Sequence, residues 1–548
     1  MAASWRSHRL LKFTVPAVLL ALVLTYLYHS SPYAAFTHEI WIGEAEKAAE
    51  IQVGDVRIGN NPLEDDPLED GPLEDEEPED EEPEDEEPED EEPEDEEPED
   101  EEPEDEEPED EEPEDEEPED EEPEDEEPED VAAAKAKFIQ DAANWEIEGP
   151  FDDAPLRELC STKEWTPGLT FRCDAAFGGV GNVRNMFLTC IRYTIEAGAT
   201  GLVVPQIKAR DANLKDLTTG QTLPFSYMFD EDFFAASLAA ACPQIEVIRS
   251  KFYHEPAIKT AITPRDLSAS RRESRVIDFA PEWRTLFDKW LVEIGAPGVE
   301  IGSSPILVSI SPSWFEWPIL YDDPAFIATF GRILRLERSI LHLAGTTLYA
   351  LNDKYGLGLE AGKTGVPAPG KFYGAHLRTA SDAVAAHFAS YDEQSSAYLR
   401  EAAEKDLRHI YLASGSPPDI ARFTAAAAEQ GINVTTKSSL LGEDPVYAET
   451  LEAIESLTWD QQALIDFMIL LRSSHFGGTW ASSFAYNIAF KRHATADGGI
   501  WHPSELALGV GVTTRSEGLK EGHAFEDTIN TIFGGRGQGL WFEVSMWP

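Results

Sequence analysis

Three short stretches carry side chains whose types and spacing suit a phosphorylated ligand. Residues 373–382 read Tyr-Gly-Ala-His-Leu-Arg-Thr-Ala-Ser-Asp. Arg378 offers a rigid fork of N–H donors matched to a diphosphate, and Asp382, four residues on, can orient that fork. In an extended strand His376 and Arg378 point to the same face. Residues 177–184, Phe-Gly-Gly-Val-Gly-Asn-Val-Arg, put Gly179, Gly181 and Asn182 where an amphipathic helix opens. Glycines there let the backbone approach a phosphate or a sugar, and a helix N-terminus favours an anion. Residues 465–484 contain Asp466, an apolar run, Ser-Ser-His-Phe-Gly-Gly and then Ser482-Ser483-Phe484. Hydroxyls and unpaired N–H groups at a helix start bind phosphate oxygens without a metal. Each stretch also has a plainer reading: a tight turn, a structural Arg–Asp pair, and a serine N-cap.

Such residues need strand ends to present them, and from about residue 131 onward the pattern alternates strands with amphipathic helices. The fold class this predicts is α/β with parallel sheets. Strands are expected at 201–207, 245–248, 305–310, 372–377, 409–413 and 466–471, and helices at 185–197, 325–349, 419–430 and 460–465. The clearest unit is 409–437, a strand, a helix opened by Ser-Pro-Pro-Asp and stopped by Gly431, and a second strand. The Gly- and Pro-rich stretch 361–370 is the best internal boundary, giving an amino-terminal α/β half at 145–360 and a carboxyl-terminal half at 370–548. A substrate would lie in the cleft between them, at the carboxyl ends of strands.

The three stretches, in this order and at these distances, resemble the protein O-fucosyltransferase family in both its animal and its plant branches. That family carries a Gly-x-x-Gly-Asn or Gly-Gly-Leu-Asn-Gln turn, a His-Leu-Arg-x-x-x-Asp motif and a Ser-Ser-Phe segment. The likeness extends to Phe-Ser-Tyr-Met-Phe-Asp-Glu-Asp-Phe-Phe at 225–234, Ile-Tyr-Leu-Ala-Ser-Gly at 410–415 and Thr-Lys-Ser-Ser-Leu-Leu at 436–441, and covers roughly residues 145–495. His475 stands where an acidic residue often precedes the phenylalanine. The resemblance implies a GT-B fold of two Rossmann-like domains facing a cleft. It also implies inverting, metal-independent transfer from a GDP-sugar, by default GDP-fucose, with no cofactor. Carried over, Arg378 would bind the β-phosphate with Asp382 supporting it, and Ser482, Ser483 and Phe484 would hold the diphosphate and nucleoside. Asp466 would lie near the nucleotide, Gly179 and Gly181 would border the donor, and Asn182 would face the sugar. Arg378, Asn182 and His376 are the catalytic candidates, and the general base stays open between His376 and an acid near Asn182.

The amino terminus bears Arg6, Arg9 and Lys12 ahead of an uncharged apolar run at 13–28. Short for a bilayer, it can still span as a signal anchor at 13–29 with a cytoplasmic tail at 1–12. A cleaved signal peptide, with Ala34 and Ala35 downstream, is the competing reading. Either way the remainder enters the lumen of the endoplasmic reticulum or Golgi, and a retained anchor makes it a single-pass type II protein. After a linker at 30–61 comes an acidic stalk at 62–130, ending in eleven copies of Glu-Glu-Pro-Glu-Asp. With little to bury, strong self-repulsion and a proline per repeat, it reads as a disordered spacer. Of the chain's 107 acidic residues, 51 fall between positions 64 and 130, so a formal charge of −65 shrinks to −14 elsewhere. That balance, with no basic stripe, disfavours nucleic acid as a partner. The expected partners are a nucleotide-sugar donor, a protein or glycan acceptor, and the membrane.

Cys160, Cys173, Cys190 and Cys242 read as two disulfides in an oxidising lumen. Of three connectivities, a short Cys160–Cys173 loop is the expectation for one bridge. Asn433, in Asn-Val-Thr, is a glycosylation candidate. Two rival functions stand beside the transferase. Asp230-Glu231-Asp232 could bind a metal and diphosphate as in GT-A enzymes, and a catalytically inactive lumenal scaffold would share the fold. Trp541, Phe542 and Trp547 would be either acceptor-lining or core.

Overall fold

The computed structural model describes residues 129–144, 146–210, 214, 216–249, 253–267, 280–294, 305–311, 316–495, 521–535 and 538–548. The predicted tail, anchor and linker, and nearly all of the stalk, lie outside the described residues. Among the described residues no helix is long and apolar enough to cross a membrane.

The first half of the described chain runs α1 (Glu129–Asn144), α2 (Ala154–Ser161), β1 (Thr166–Cys173), α3 (Val180–Glu196), β2 (Ala199–Val203), β3 (Ile207–Lys208), β4 (Thr222–Leu223), α4 (Glu231–Ala241), β5 (Glu246–Ile248), β6 (Ile258–Ile262), α5 (Ala280–Ile294), β7 (Ile306–Ile310), α6 (Pro324–Phe330) and α7 (Arg338–Tyr355). Five of its strands form a parallel sheet in the order β5-β2-β1-β7-β6. The second half runs β8 (Tyr373–His376), α8 (Ser381–Ala385), α9 (Tyr391–Glu404), β9 (His409–Ala413), α10 (Pro417–Ala428), β10 (Asn433–Thr435), α11 (Lys437–Gly442), α12 (Ala448–Glu455), α13 (Trp459–Leu471), β11 (His475–Thr479), α14 (Ser483–Thr495), β12 (His523–Glu526), β13 (Asn530–Phe533) and α15 (Leu540–Ser545). Its six strands pair in the order β10-β9-β8-β11-β13-β12, all parallel except the edge pair β12/β13. Mixed α/β architecture with parallel sheets is therefore as the alternation of elements predicts, and the β9–α10–β10 unit lies where the sequence puts it.

Three elements differ from expectation. Residues 466–471 are the last part of helix α13, and the strand that follows is His475–Thr479. The helix starts earlier than the apolar run suggests because Thr458 and Gln461 form a reciprocal capping box. It is then buried from Leu464 to Leu471, so it shows no period that would separate it from a strand. The predicted helix at 325–349 is two helices. A 3-10 turn at Gly331–Ile333 ends α6, and Glu337 restarts the chain by accepting N–H groups from Ser339 at 2.8 Å and Ile340 at 3.3 Å. Helix α3 begins at Val180 rather than 185, so Gly181 and Asn182 lie in its first turn.

All residues of α3 are buried, polar ones included. The guanidinium of Arg184 donates to the carbonyls of Leu334 at 3.0 Å and Gly331 at 3.1 Å, and the Asn185 amide donates to Ser545 O at 3.1 Å. Arg192 pairs with Asp322 and Glu196, each at 2.8 Å, over the ring of Trp317. Asp322 and Glu196 both resist burial, and the charge of Arg192 is the main opposing influence on each. Trp547 and Phe542 are core, the former edge-on to Phe330, which removes them as acceptor-lining candidates.

The disulfides are Cys160–Cys242, joining α2 to the end of α4, and Cys173–Cys190, pinning β1 to α3. The expected Cys160–Cys173 bridge is thus replaced. Cys173 ends a strand whose partner helix brings Cys190 beside it, while Cys160 faces α4. In the chain-entropy limit, loops of 82 and 17 residues contribute about 4.5 and about 3 kcal/mol. Urea unfolding should therefore show the Cys160→Ala/Cys242→Ala variant losing more stability than Cys173→Ala/Cys190→Ala.

Candidate functional site

In each parallel sheet one inner strand is where the chain's direction of travel across the sheet reverses, and ligands of α/β folds gather at the carboxyl ends of such strands. In the first sheet that strand is β1, flanked by β2 and β7, and the glycine turn follows it directly. In the second it is β8, flanked by β9 and β11. His376 ends β8, and Ser482 follows β11. The two motifs read from sequence thus occupy equivalent places in the two sheets.

One close contact between the halves is made by backbone. Gly181 lies against residues 483 and 484. A Cβ there would overlap the Ser483 carbonyl and stand 2.7 Å from the Phe484 nitrogen. The Asn182 side chain folds over Gly178, whose φ of +91° suits glycine alone. Asp174, at the end of β1, is half-buried, and burial raises its carboxyl above the usual range against the pull of Arg172. It is the acid closest to Asn182 in sequence.

His376 Nδ1 lies 3.5 Å from Ser482 Oγ, and its ring packs on Phe484 with centroids 4.6 Å apart. Burial, aided by the charge of Arg378, pulls the imidazole down to about 3, so it is neutral and a weak base. Ser482 Oγ also accepts the Ala485 N–H at 3.2 Å, which makes it the N-cap of α14. The backbone of 376–378 is held by α9. Tyr398 OH donates to His376 O at 2.9 Å, and Gln394 brackets Arg378, accepting its N–H at 2.9 Å and donating to its O at 3.0 Å.

The Arg378 guanidinium donates to Asp382 Oδ2, and Arg210 Nη2 donates to the same oxygen at 2.9 Å. Burial would raise Asp382, but the guanidinia of Arg378 and Arg210 outweigh it and hold the carboxyl below its ordinary range. Both guanidinia lie over Trp459, at 5.7 Å for Arg210 and 5.4 Å for Arg378. The main-chain N–H of Arg210 donates to Asp460 Oδ2 at 2.7 Å. Arg210, Trp459, Asp460, Gln394 and Tyr398 carry no motif and were invisible to sequence reading.

The structure thus gathers Gly181, Asn182, His376, Arg378, Asp382, Ser482, Ser483 and Phe484 around one junction, with Gly179 as the N-cap of α3. Asp466 is committed elsewhere, accepting from Tyr411 OH and Lys437 Nζ, each at 2.7 Å. His475 is internal, 3.1 Å from Thr531 Oγ1 and from Glu401. Asp230 caps α4 through the Phe233 N–H and pairs with Arg338, while Asp232 pairs with Arg249. Those carboxylates have structural occupations of their own. Asn433 is exposed on edge strand β10.

The sequence profile described as GDP-fucose protein O-fucosyltransferase matches residues 169–495, more than half of the chain. The chain belongs to this family. It is accordingly a glycosyltransferase of the fucosyltransferase class. Solved structures similar to this O-fucosyltransferase family member include POFUT1 in complex with GDP, at 15% identity, 62% of this chain, 98% of that one and a TM-score of 0.36. POFUT1 with GDP-fucose is 14% identical over 62% and 98%, with a TM-score of 0.36. A variant of Arabidopsis thaliana FUT1 with GDP is 12% identical over 67% and 77%, with a TM-score of 0.29. Scores this low carry no argument, and the assignment rests on the family match. No curated protein matches the chain.

Two outcomes test the geometry. Gly181→Ala should cost about 1–3 kcal/mol through overpacking at the Ser483 backbone. Gly179→Ala, with nothing within 4 Å, should stay within about 0.5 kcal/mol in the same melt. Burial pushes the Asp460 carboxyl up to about 6, against the Arg210 N–H and charge. The folded state then holds that proton more tightly than the unfolded chain, so stability is full near pH 4 and declines as pH rises through 6. Asp460→Asn should gain on the wild type across that window, by up to about 3 kcal/mol, in urea titrations at stepped pH.

Proposed function

We propose that this family member transfers fucose from GDP-fucose to a hydroxyl of a protein or glycan, with inversion and without a metal, in a GT-B arrangement. The observation that supports this best is the pairing of Arg378 with Asp382 beside His376, Ser482 and Phe484, at the reversal point of the second sheet and against the glycine turn of the first. In this reading the acceptor oxygen bonds to the sugar's C1 as the C1–oxygen bond to the β-phosphate breaks, GDP leaves with the electron pair, and the acceptor hydroxyl's proton passes to a β-phosphate oxygen of the departing GDP. Arg378 takes up the charge that grows on the departing phosphate, which lowers the barrier without a strong base. Asp382 keeps the guanidinium aimed, while Gln394 fixes its main chain. Phe484 and the Ser482–Ser483 hydroxyls bound the nucleotide, and the first turn of α3, with Asn182, faces the sugar. Asp466 acts through the β9 and α11 ends rather than on the donor.

The setting we propose is a Golgi or endoplasmic reticulum membrane, with a type II anchor at 13–29 and the acidic repeats as a spacer. Two disulfides in the amino-terminal half favour an oxidising lumen.

Isothermal titration of the full-length chain with GDP, GDP-fucose, GDP-mannose and UDP, without metal, tests the donor assignment. GDP and GDP-fucose should bind, and Arg378→Ala should weaken both by about 100-fold or more. Binding that appears only after manganese is added, or none, would overturn it.

A further inference from the structure

Arg210 is buried, with its side chain 2% accessible, yet it is incompletely satisfied. One Nη donates to Asp382 and to the Leu214 carbonyl, while its Nε has no hydrogen-bond partner among the described residues. A buried guanidinium with an idle donor is costly, and the remedy is an acceptor that arrives from outside the protein. The surrounding charge points the same way. Arg210 and Arg378 converge on a single carboxylate oxygen, so two like charges are balanced by one carboxylate, Asp382. Asp460, the other carboxyl in contact with Arg210, accepts its main-chain N–H and leaves the guanidinium to Asp382. Two guanidinia that share one carboxylate oxygen in a low-dielectric setting have donors to offer an anion of more than one charge.

The segment that bears Arg210 is tied to the glycine turn. Lys208 N–H donates to Ala176 O at 2.8 Å, and Ala176 N–H donates to Gln206 O at 2.9 Å, so β3 runs alongside the approach to Gly178. Arg210 itself is anchored across the junction through its own N–H on Asp460. The face of Trp459 supports both guanidinia and holds them side by side.

We propose that Arg210 is a second diphosphate-binding residue, supplied by the amino-terminal half, whose guanidinium exchanges Asp382 for phosphate oxygens when the donor binds. The Arg210–Asp382 pair is then the resting latch of an empty site, and the donor's two phosphates take the place of one shared carboxylate oxygen. This inference rests on the donor reading above. Because charge on the β-phosphate increases as the sugar departs, Arg210 serves the transition state more than the ground state, and its loss lowers kcat as well as affinity.

The test compares the full-length wild type with Arg210→Gln and Arg210→Lys, by titration with GDP and with guanosine and by donor kinetics. Arg210→Gln should weaken GDP binding by about 10- to 100-fold, leave guanosine affinity unchanged and lower kcat. Arg210→Lys, which keeps the charge but not the fork, should fall between and serves if the glutamine variant does not fold. Equal losses for GDP and guanosine would show a residue that only clamps the two halves, and GDP binding and kcat at wild-type levels would show no role. Either result overturns the inference. A wild type that binds no GDP would instead overturn the donor reading on which it stands.

Discussion

Helix α3 is enclosed on every side, and one missing side chain makes that possible. Its first turn must come into van der Waals contact with the backbone at Ser483, and only a residue without a Cβ allows it. Once the helix is enclosed, each of its polar groups must find a partner inside the protein, because an unpaired buried group costs kilocalories rather than tenths. Arg184 finds the carbonyls at 331 and 334, Asn185 the carbonyl of Ser545, and Arg192 the carboxylates of Asp322 and Glu196. The start of α6 and α7, the carboxyl-terminal segment and the second sheet's α14 are thereby all registered against one rod. The site inherits its geometry from that registration.

Electrostatics at the junction follow from the same enclosure. His376 is neutral because it is walled in by Phe484 and faces the charge of Arg378. Arg378 is largely enclosed, and burial works against its charge more than Asp382 supports it. Main-chain brackets from Gln394 and Tyr398 keep these two residues where the strand leaves them. The result is a preorganised cationic patch whose orientation is settled before any ligand arrives.

The sequence reading went wrong where burial erases periodicity. Residues 466–471 are apolar without interruption, and a helix buried on all faces looks like a buried strand, so only the Thr458–Gln461 capping box betrays the helix. Asp466, placed near the nucleotide by the family resemblance, lies in that helix and accepts from Tyr411 and Lys437. The polar residues of α3 belong to a stretch that reads as an amphipathic helix, and in the fold they too are enclosed by protein. Cysteine pairing failed for a related reason, since proximity in the chain says little about which strand and helix are layered together.

By itself the sequence determined what local chemistry can determine. The alternation of elements set a parallel α/β fold, the glycine turn opened a helix, and Arg378 and Asp382 stood four apart beside a strand end. Those signals survive because each depends on neighbours within a few residues. Tertiary structure alone decided that Gly181 meets Ser483, that Arg210 reaches Asp382 across 172 residues, and that Trp459 lies beneath both guanidinia. Such contacts depend on how two sheets and the helices between them pack, and packing is a property of the whole chain that no spacing of residues encodes.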